Sequence, residues 1–224
     1  MVVWKDIDTV LFDMDGTVLD LHFDNHFWEE LVPERYAQLH GLDPVHTSDL
    51  LKERYASVHG TLDWYSLDFW SQTLGLDILA LKQETRHKIA LRPNAIALLQ
   101  ALRQADKQLI LVTNAHPGSL ELKMAHTGIA EHFDHRISSH TLQLAKENVG
   151  FWQALRETHH YEPERTLLID DSLPVLKRAK AEGIAHLRAI KQPDSQREAL
   201  VPHEDFVQID DFSEILTDLR NDNE

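Results

Sequence analysis

The sequence contains no cysteine. That excludes disulfides, thiolate metal sites and a thiol nucleophile, and it is consistent with the cytosol. No apolar run approaches the roughly 18 residues that a membrane-spanning helix needs. Positive charge is scarce: Lys and Arg number 22 against 37 Asp and Glu, a net charge of −15. Such a field repels nucleic-acid phosphate and anionic membranes, so neither a nucleic acid polymer nor a membrane is expected as a partner. It also repels a small phosphate-bearing substrate, so a site for one must supply its own local cation. The first residues carry Lys5 and Asp6 and lack the apolar core of a signal peptide, which makes the expected location cytoplasmic. No internal repeat and no low-complexity tract interrupts the chain.

What is present suits a soluble globular protein. Hydrophobic residues make up 42% of the 224, enough for a core in one domain or a domain with an insertion. Thr9 to Leu19 organises the rest. Val10-Leu11-Phe12 reads as a buried strand that delivers Asp13 and Asp15 and then a Gly16-Thr17 turn. Residues two apart on a strand point the same way, so the two acids project together from its carboxyl end. In open α/β sheets ligands bind at that end. Two carboxylates about 4 Å apart repel by about 4 kcal/mol at an effective dielectric near 20. A proton or a cation must relieve that, which points to Mg²⁺ and a nucleophilic Asp. A solvated turn at a strand end would also carry Asp-x-Asp-Gly, so the reading depends on later stretches.

From about residue 20 to 90 the pattern is helical. Trp28, Leu31 and Val32 share a face before Pro33, which splits or restarts the helix. Thr47 or Ser48 caps a helix that stops at Gly60, Asp63 caps one that stops at Gly75, and a fourth runs from about Ile78 to Ile89. Beyond Pro93, helices of 10 to 15 residues alternate with short strands, of which Leu109–Val112 and Thr166–Ile169 are the clearest. One of those helices, Pro93 to Ala105, carries Ile96, Leu99 and Leu102 on one side; another spans Asn148 to His159, a last one spans residues 213 to 219, and residues 221 to 224 are expected to fray. This alternation predicts βαβ units and a parallel sheet. The expected architecture is a Rossmann-like, doubly wound α/β core over residues 1–19 and 91–224. An all-helical cap is inserted at 20–90.

Parallel strands bring their carboxyl ends to one edge. That edge collects Asp13 and Asp15, Thr113 and Asn114, and Asp170 and Asp171, with Lys146 opening a nearby helix. Each group suits phosphoryl transfer. Asp13 attacks phosphorus. Asp15 serves as general acid and then base, and its backbone carbonyl is available to a metal. Asp13 and Asp171 hold Mg²⁺, with Asp170 binding through water. Lys146 neutralises a phosphate oxygen. Thr113 with the N–H groups at Asn114 and Ala115 forms an anion seat before a helix.

Phe-Asp-Met-Asp-Gly-Thr, Val-Thr-Asn, Lys146 and Ile-Asp-Asp-Ser, in this order, resemble the four motifs of the haloacid dehalogenase superfamily of phosphatases. The resemblance implies a Rossmann-like core, Mg²⁺ dependence and an aspartyl-phosphate intermediate. One departure is Ala-Lys146-Glu-Asn, which lacks the frequent Gly-Lys-Pro. Phe23-Asp24-Asn25, Leu62-Asp63-Trp64-Tyr65, Asn114-Ala115-His116-Pro117 and Ile169-Asp170-Asp171-Ser172 are similar to the bacterial GMP/IMP 5′-nucleotidases of that superfamily. That likeness implies hydrolysis of a purine nucleoside monophosphate. The alternatives are a phosphatase or phosphomutase for another small metabolite, such as a sugar phosphate, and a catalytically silent binding protein. A dehalogenase is disfavoured because Asp15 supplies the acid an alkoxide leaving group requires. In the cap, Phe27, Trp28, Trp64, Tyr65 and Trp70 either stack on a base or fill a core, and Trp70, in helical register with Leu67 and Leu74, belongs to the core. Asp24, Asn25 and His26 either read substrate or cap a helix. Among fifteen histidines, His116 alone sits near the candidate edge. The sequence does not fix an oligomeric state.

Overall fold

The computed structural model describes residues 2–201 and 203–221. Among the described residues six strands form one sheet: β1 Thr9–Phe12, β2 Gln108–Thr113, β3 His135–Ser138, β4 Thr166–Asp170, β5 His186–Ile190 and β6 Val207–Ile209. Their order is β3-β2-β1-β4-β5-β6 and every pairing is parallel. The order reverses between β1 and β4, and a crevice opens at such a switch point. Phe12 stands level with Leu111 on one side and Ile169 on the other. Asp13 N donates to Ile169 O at 3.0 Å, so the register carries Asp13 to the side of Asp170.

Strand alternation builds two cores. Val10 and Phe12 of β1 join Leu109, Leu111, Leu167 and Ile169 on one face, under helices that supply Leu98, Leu102 and Ile215. Leu11 joins Ile110, Val112 and Leu168 on the other, under Phe151, Trp152 and Leu176. Both faces are dry, so the inner strands read as unbroken apolar runs. Ile96, expected to face inward, is 40% exposed. The helix Ala95–Gln104 starts two residues later than Pro93 and turns Ala95, Leu98, Leu99 and Leu102 to the sheet.

Between β1 and Ala95 the chain is helical, and a third apolar cluster there draws only on residues 27 to 81. Trp70 is fully buried in it, and its indole N–H donates to Trp64 O at 2.9 Å. Three details differ from expectation. Pro33 does not break the helix. His22–His26 runs through a wide π-helical turn, Phe27–Leu31, into Val32–His40. The wide turn falls where the proline ring would otherwise disturb the hydrogen-bond ladder. The next helix, Pro44–Val58, is capped by Asp43, which accepts from His46 N at 3.1 Å, rather than by Thr47 or Ser48. Pro44 takes the first helical position, where its missing N–H has no partner to lose. Ser66, not Asp63, caps Leu67–Leu74 by accepting from Phe69 N at 3.2 Å. The last helix, Phe212–Asn221, is longer than its periodicity suggests. Of the terminal segment expected to fray, residues 222–224 lie outside the described residues. Among the described residues no helix is long and apolar enough to cross a membrane.

Candidate active site

β1 delivers Asp13 and then turns back sharply. Gly16 N donates to Leu19 O, and Leu19 N to Met14 O, both at 2.8 Å. Gly16 has φ +85°, and a Cβ there would lie 2.5 Å from Asp171 Oδ2. Glycine is therefore required both for the left-handed turn and for the close approach of Asp171. β4 ends in Asp170, whose Oδ1 accepts from Ser172 N at 2.8 Å. The Ser172 side chain makes no cap to the following helix Leu173–Ala181. One oxygen each from Asp13, Asp170 and Asp171 lies within 4.8 Å of the others.

Lys146 holds two of these acids. Its Nζ hydrogen-bonds Asp13 Oδ1, reaches Asp170 Oδ2 at 2.7 Å and Val112 O at 3.1 Å, and is 2% exposed. Lys146 was expected to open a helix, but it sits in a turn ahead of Phe151–Thr158. No helix dipole opposes it there. The turn is anchored from β2: Asn114 Oδ1 accepts from Lys146 N at 2.9 Å, and Asn114 Nδ2 donates to Glu147 Oε2 at 2.9 Å. Asn114 thus positions the lysine with both ends of its amide. The expected anion seat is also partly occupied, because Ala115 N donates to Thr113 Oγ1 at 3.0 Å.

Burial pushes the Asp13 carboxyl up to about 6, with Lys146 pulling it down and Asp170 pushing it further up. Burial also raises Asp171 well above the usual carboxylate range, and Asp13 and Asp170 add repulsion. Burial would lower Lys146, but Asp13 and Asp170 outweigh it and hold the ammonium charged. Three carboxylates thus cluster about one cation, and among the described residues the buried Asp13 Oδ2 has no hydrogen-bond partner. Clustered hard oxygen donors with an excess of negative charge fit Mg²⁺.

A pH dependence follows. An Asp13 carboxyl ionises near 3.8 when unfolded and at about 6 in the fold. Between those values the folded protein holds the extra proton, so stability falls as pH rises through the window. A cation bound to the ionised cluster opposes that fall. Mg²⁺ should therefore raise the thermal midpoint more at pH 7.5 than at pH 5, as followed by scanning fluorimetry. Equal shifts at both, or none, would remove this cluster as the binding site.

A cavity of about 680 Å³ opens on this edge. Asp13, Asp15, Thr113, Asn114, Lys146, Asp170 and Asp171, all singled out from sequence, line it. So do Asp24, Asn25, Trp64, Tyr65 and His116. Part of its lining is aromatic, with Trp28 edge-on to Tyr55 at 5.8 Å and Tyr55 edge-on to Trp64 at 5.7 Å between ring centroids. Tyr65 OH donates to Glu147 Oε1 at 2.9 Å, tying the insertion to the Lys146 turn. Asn25 Nδ2 donates to Asp194 Oδ2 at 2.7 Å. His116 Nδ1 accepts from Gly118 N at 3.2 Å, which leaves Nε2 toward Asp68. His26 is not brought to the cavity; it pairs with Glu30 at 3.0 Å one turn along its own helix. Phe27 is buried in the insertion core.

Sequence reasoning missed Lys123, Lys82 and Glu147. Lys123 lies on the helix Pro117–Thr127 and Lys82 on Ile78–Glu84, and both are nearly fully buried. The signal was available: Lys123 falls on the same stripe as Ser119, Leu120 and Met124, a lysine where the period calls for an apolar residue.

A parallel sheet with acids at its switch point, a buried lysine among them and a helical insertion overhead defines a hydrolase of the haloacid dehalogenase-like kind. The chain belongs to that family, whose pattern matches residues 7–183. Within it the chain is a phosphoric monoester hydrolase similar to GMP/IMP nucleotidase YrfG of Escherichia coli (strain K12). The two are 45% identical over 194 residues, which cover 87% of each chain. The fold is also that of a HAD phosphatase from Thermococcus onnurineus, with a TM-score of 0.78, 22% identity and coverage of 94% of this chain and 97% of that one. L-2-haloacid dehalogenase from Xanthobacter autotrophicus, with chloropropionic acid covalently bound, shares it too. The TM-score there is 0.63, with 17% identity and coverage of 96% and 98%.

Proposed function

We propose that the chain hydrolyses purine nucleoside 5′-monophosphates of the GMP and IMP type, through a phosphoryl group carried on Asp13. The observation that carries this reading is the cavity itself. Asp13 and Lys146 from the sheet edge and Trp28, Tyr55 and Trp64 from the insertion line one and the same cavity. Stacking on such rings is worth about 1–3 kcal/mol per base. That the Escherichia coli relative is a GMP/IMP nucleotidase supports the same reading.

In this reading residues 1–19 and 91–224 form the catalytic core and 20–90 the cap. The Asp13 carboxylate forms a bond to phosphorus as the bond to the nucleoside oxygen breaks, and Asp15 gives that oxygen its proton. Water then attacks the phosphoryl group on Asp13. Asp15 takes the water's proton, and phosphate leaves as the bond to Asp13 breaks. Lys146 holds Asp13 in place and offsets charge on the transferring group. Thr113 and Asn114 keep the β2 end and the Lys146 turn in register. Asp13, Asp170 and Asp171, with the Asp15 backbone carbonyl, would hold Mg²⁺, which supplies further neutralisation of the phosphate when bound.

A phosphate-release panel tests the substrate. GMP and IMP should exceed AMP, pyrimidine nucleotides and sugar phosphates in kcat/KM by about 10-fold or more, the scale of a few well-placed pocket contacts. A preference for a sugar phosphate, or conversion of one to an isomer without phosphate release, would overturn the nucleotidase reading.

A further inference from the structure

A buried ion cluster lies beside the reacting acids and joins three parts of the molecule. Lys123 Nζ donates to Asp15 Oδ1 and to Asp24 Oδ2, each at 2.6 Å, and Lys82 Nζ donates to Asp24 Oδ1 at 2.7 Å. Lys123 is 1% exposed and Lys82 2%. Lys123 belongs to the helix after β2, Asp24 to the first helix of the insertion, and Lys82 to its last long helix. With Asp15 ionised, two carboxylates meet two ammonium groups and the cluster is neutral as a whole; with Asp15 protonated, as the acid role requires, it carries one positive charge. The Lys82 ammonium also stands 4.4 Å from the Phe27 ring centre.

Burying two ammonium groups against half-buried carboxylates is costly, and replacing such groups by apolar ones is often neutral or stabilising. Stability alone is therefore a weak account of the cluster. Its geometry points to Asp15. A carboxylate on a short turn after a strand has two free side-chain torsions. Lys123 fixes one of its oxygens, leaving the other to be presented to the cavity.

We infer that Lys123 is a positioning residue for Asp15, and that through Asp24 it makes the placement of Asp15 depend on the docking of the helix His22–His26. The inference rests on the reading of Asp15 as the acid that protonates the leaving oxygen. Asp24 cannot leave the core without removing one of the two anchors of Lys123. The acid is thereby held in register only while the insertion is seated over the site.

Leaving groups separate this role from a structural one. A nucleoside alkoxide needs a proton as it departs, whereas p-nitrophenolate does not. Lys123→Met should lower kcat/KM for GMP by about 10²-fold, the lower range of general-acid contributions, with a much smaller loss for p-nitrophenyl phosphate. Asp24→Asn should shift the ratio in the same direction by less. Lys82→Met removes a charge from the same cluster without touching Asp15 and leaves the Lys123–Asp24 bond in place, so it should lower the thermal midpoint and shift the ratio far less than Lys123→Met. Should Lys123→Met not fold, Lys123→Arg keeps the charge and moves the donor, and it should give a smaller split of the same sign.

Equal losses on both substrates in the Lys123 variants would overturn the inference, as would a shift in Lys82→Met as large as that in Lys123→Met. Asp15→Asn distinguishes this failure from that of the underlying reading. A split in Asp15→Asn without one at Lys123 removes only the positioning role. No split in Asp15→Asn removes the acid itself.

Discussion

Asp13→Asn should abolish turnover, with kcat falling by about 10⁴-fold or more, as removal of a nucleophile does elsewhere. The amide is nearly the same shape but cannot form the bond to phosphorus. The loss should not come from unfolding. In the wild type three carboxylates share one buried ammonium, and burial together with Asp170 already pushes the Asp13 carboxyl up to about 6. A neutral amide relieves that crowding, and its oxygen can still accept from Lys146. The thermal midpoint of the metal-free variant should therefore stay level or rise. Measured kcat and midpoint together check this. Retained hydrolysis would dismiss Asp13 as nucleophile, and collapse of the fold would dismiss the charge account.

Lys146→Met should have the opposite signature in stability. The ammonium is 2% exposed and bonded to Asp13, Asp170 and a backbone carbonyl. Its removal leaves those carboxylates facing one another without their common partner. Breaking a buried pair from one side costs about 3–5 kcal/mol. The rate should fall as well, by about 10²–10³-fold, since a preorganised cation near the transferring group is lost. Added Mg²⁺ should recover part of the stability but not the rate, because it does not restore the contact that fixes Asp13. Calorimetry and steady-state kinetics check the pair of effects. An unchanged kcat would move charge compensation elsewhere.

The contrast between Asp13 and Lys146 shows what could be read from the chain. Asp13, Asp170 and Thr113 end short apolar strands, and strand geometry alone sends strand ends of a parallel sheet to one edge. Their meeting therefore followed from local pattern and topology. Lys146 was found by its place in the motif order, but its surroundings were misjudged. A helix start was expected, whereas the turn is fixed by Asn114 and Glu147, and Asn114 is more than thirty residues away in sequence. Caps were misplaced for a similar reason: Asp43 and Thr47 both carry capping oxygens, and Pro44 decides between them by its fixed φ. Lys123 and Lys82 went unseen because a lysine reads as solvated unless its partners are known. Those partners, Asp15 and Asp24, lie on other elements.

In the proposed reaction phosphate is carried on the side chain at the tip of β1. Asp15→Asn given p-nitrophenyl phosphate and Mg²⁺ isolates that species, since the leaving group departs unaided and the base for the second step is missing. Quenching and borohydride reduction, which converts a phosphorylated aspartate to homoserine, followed by peptide mass spectrometry should find the change at position 13 alone. Reduction at another carboxylate, or an unaltered Asp13 alongside a full burst of nitrophenolate, would contradict the account.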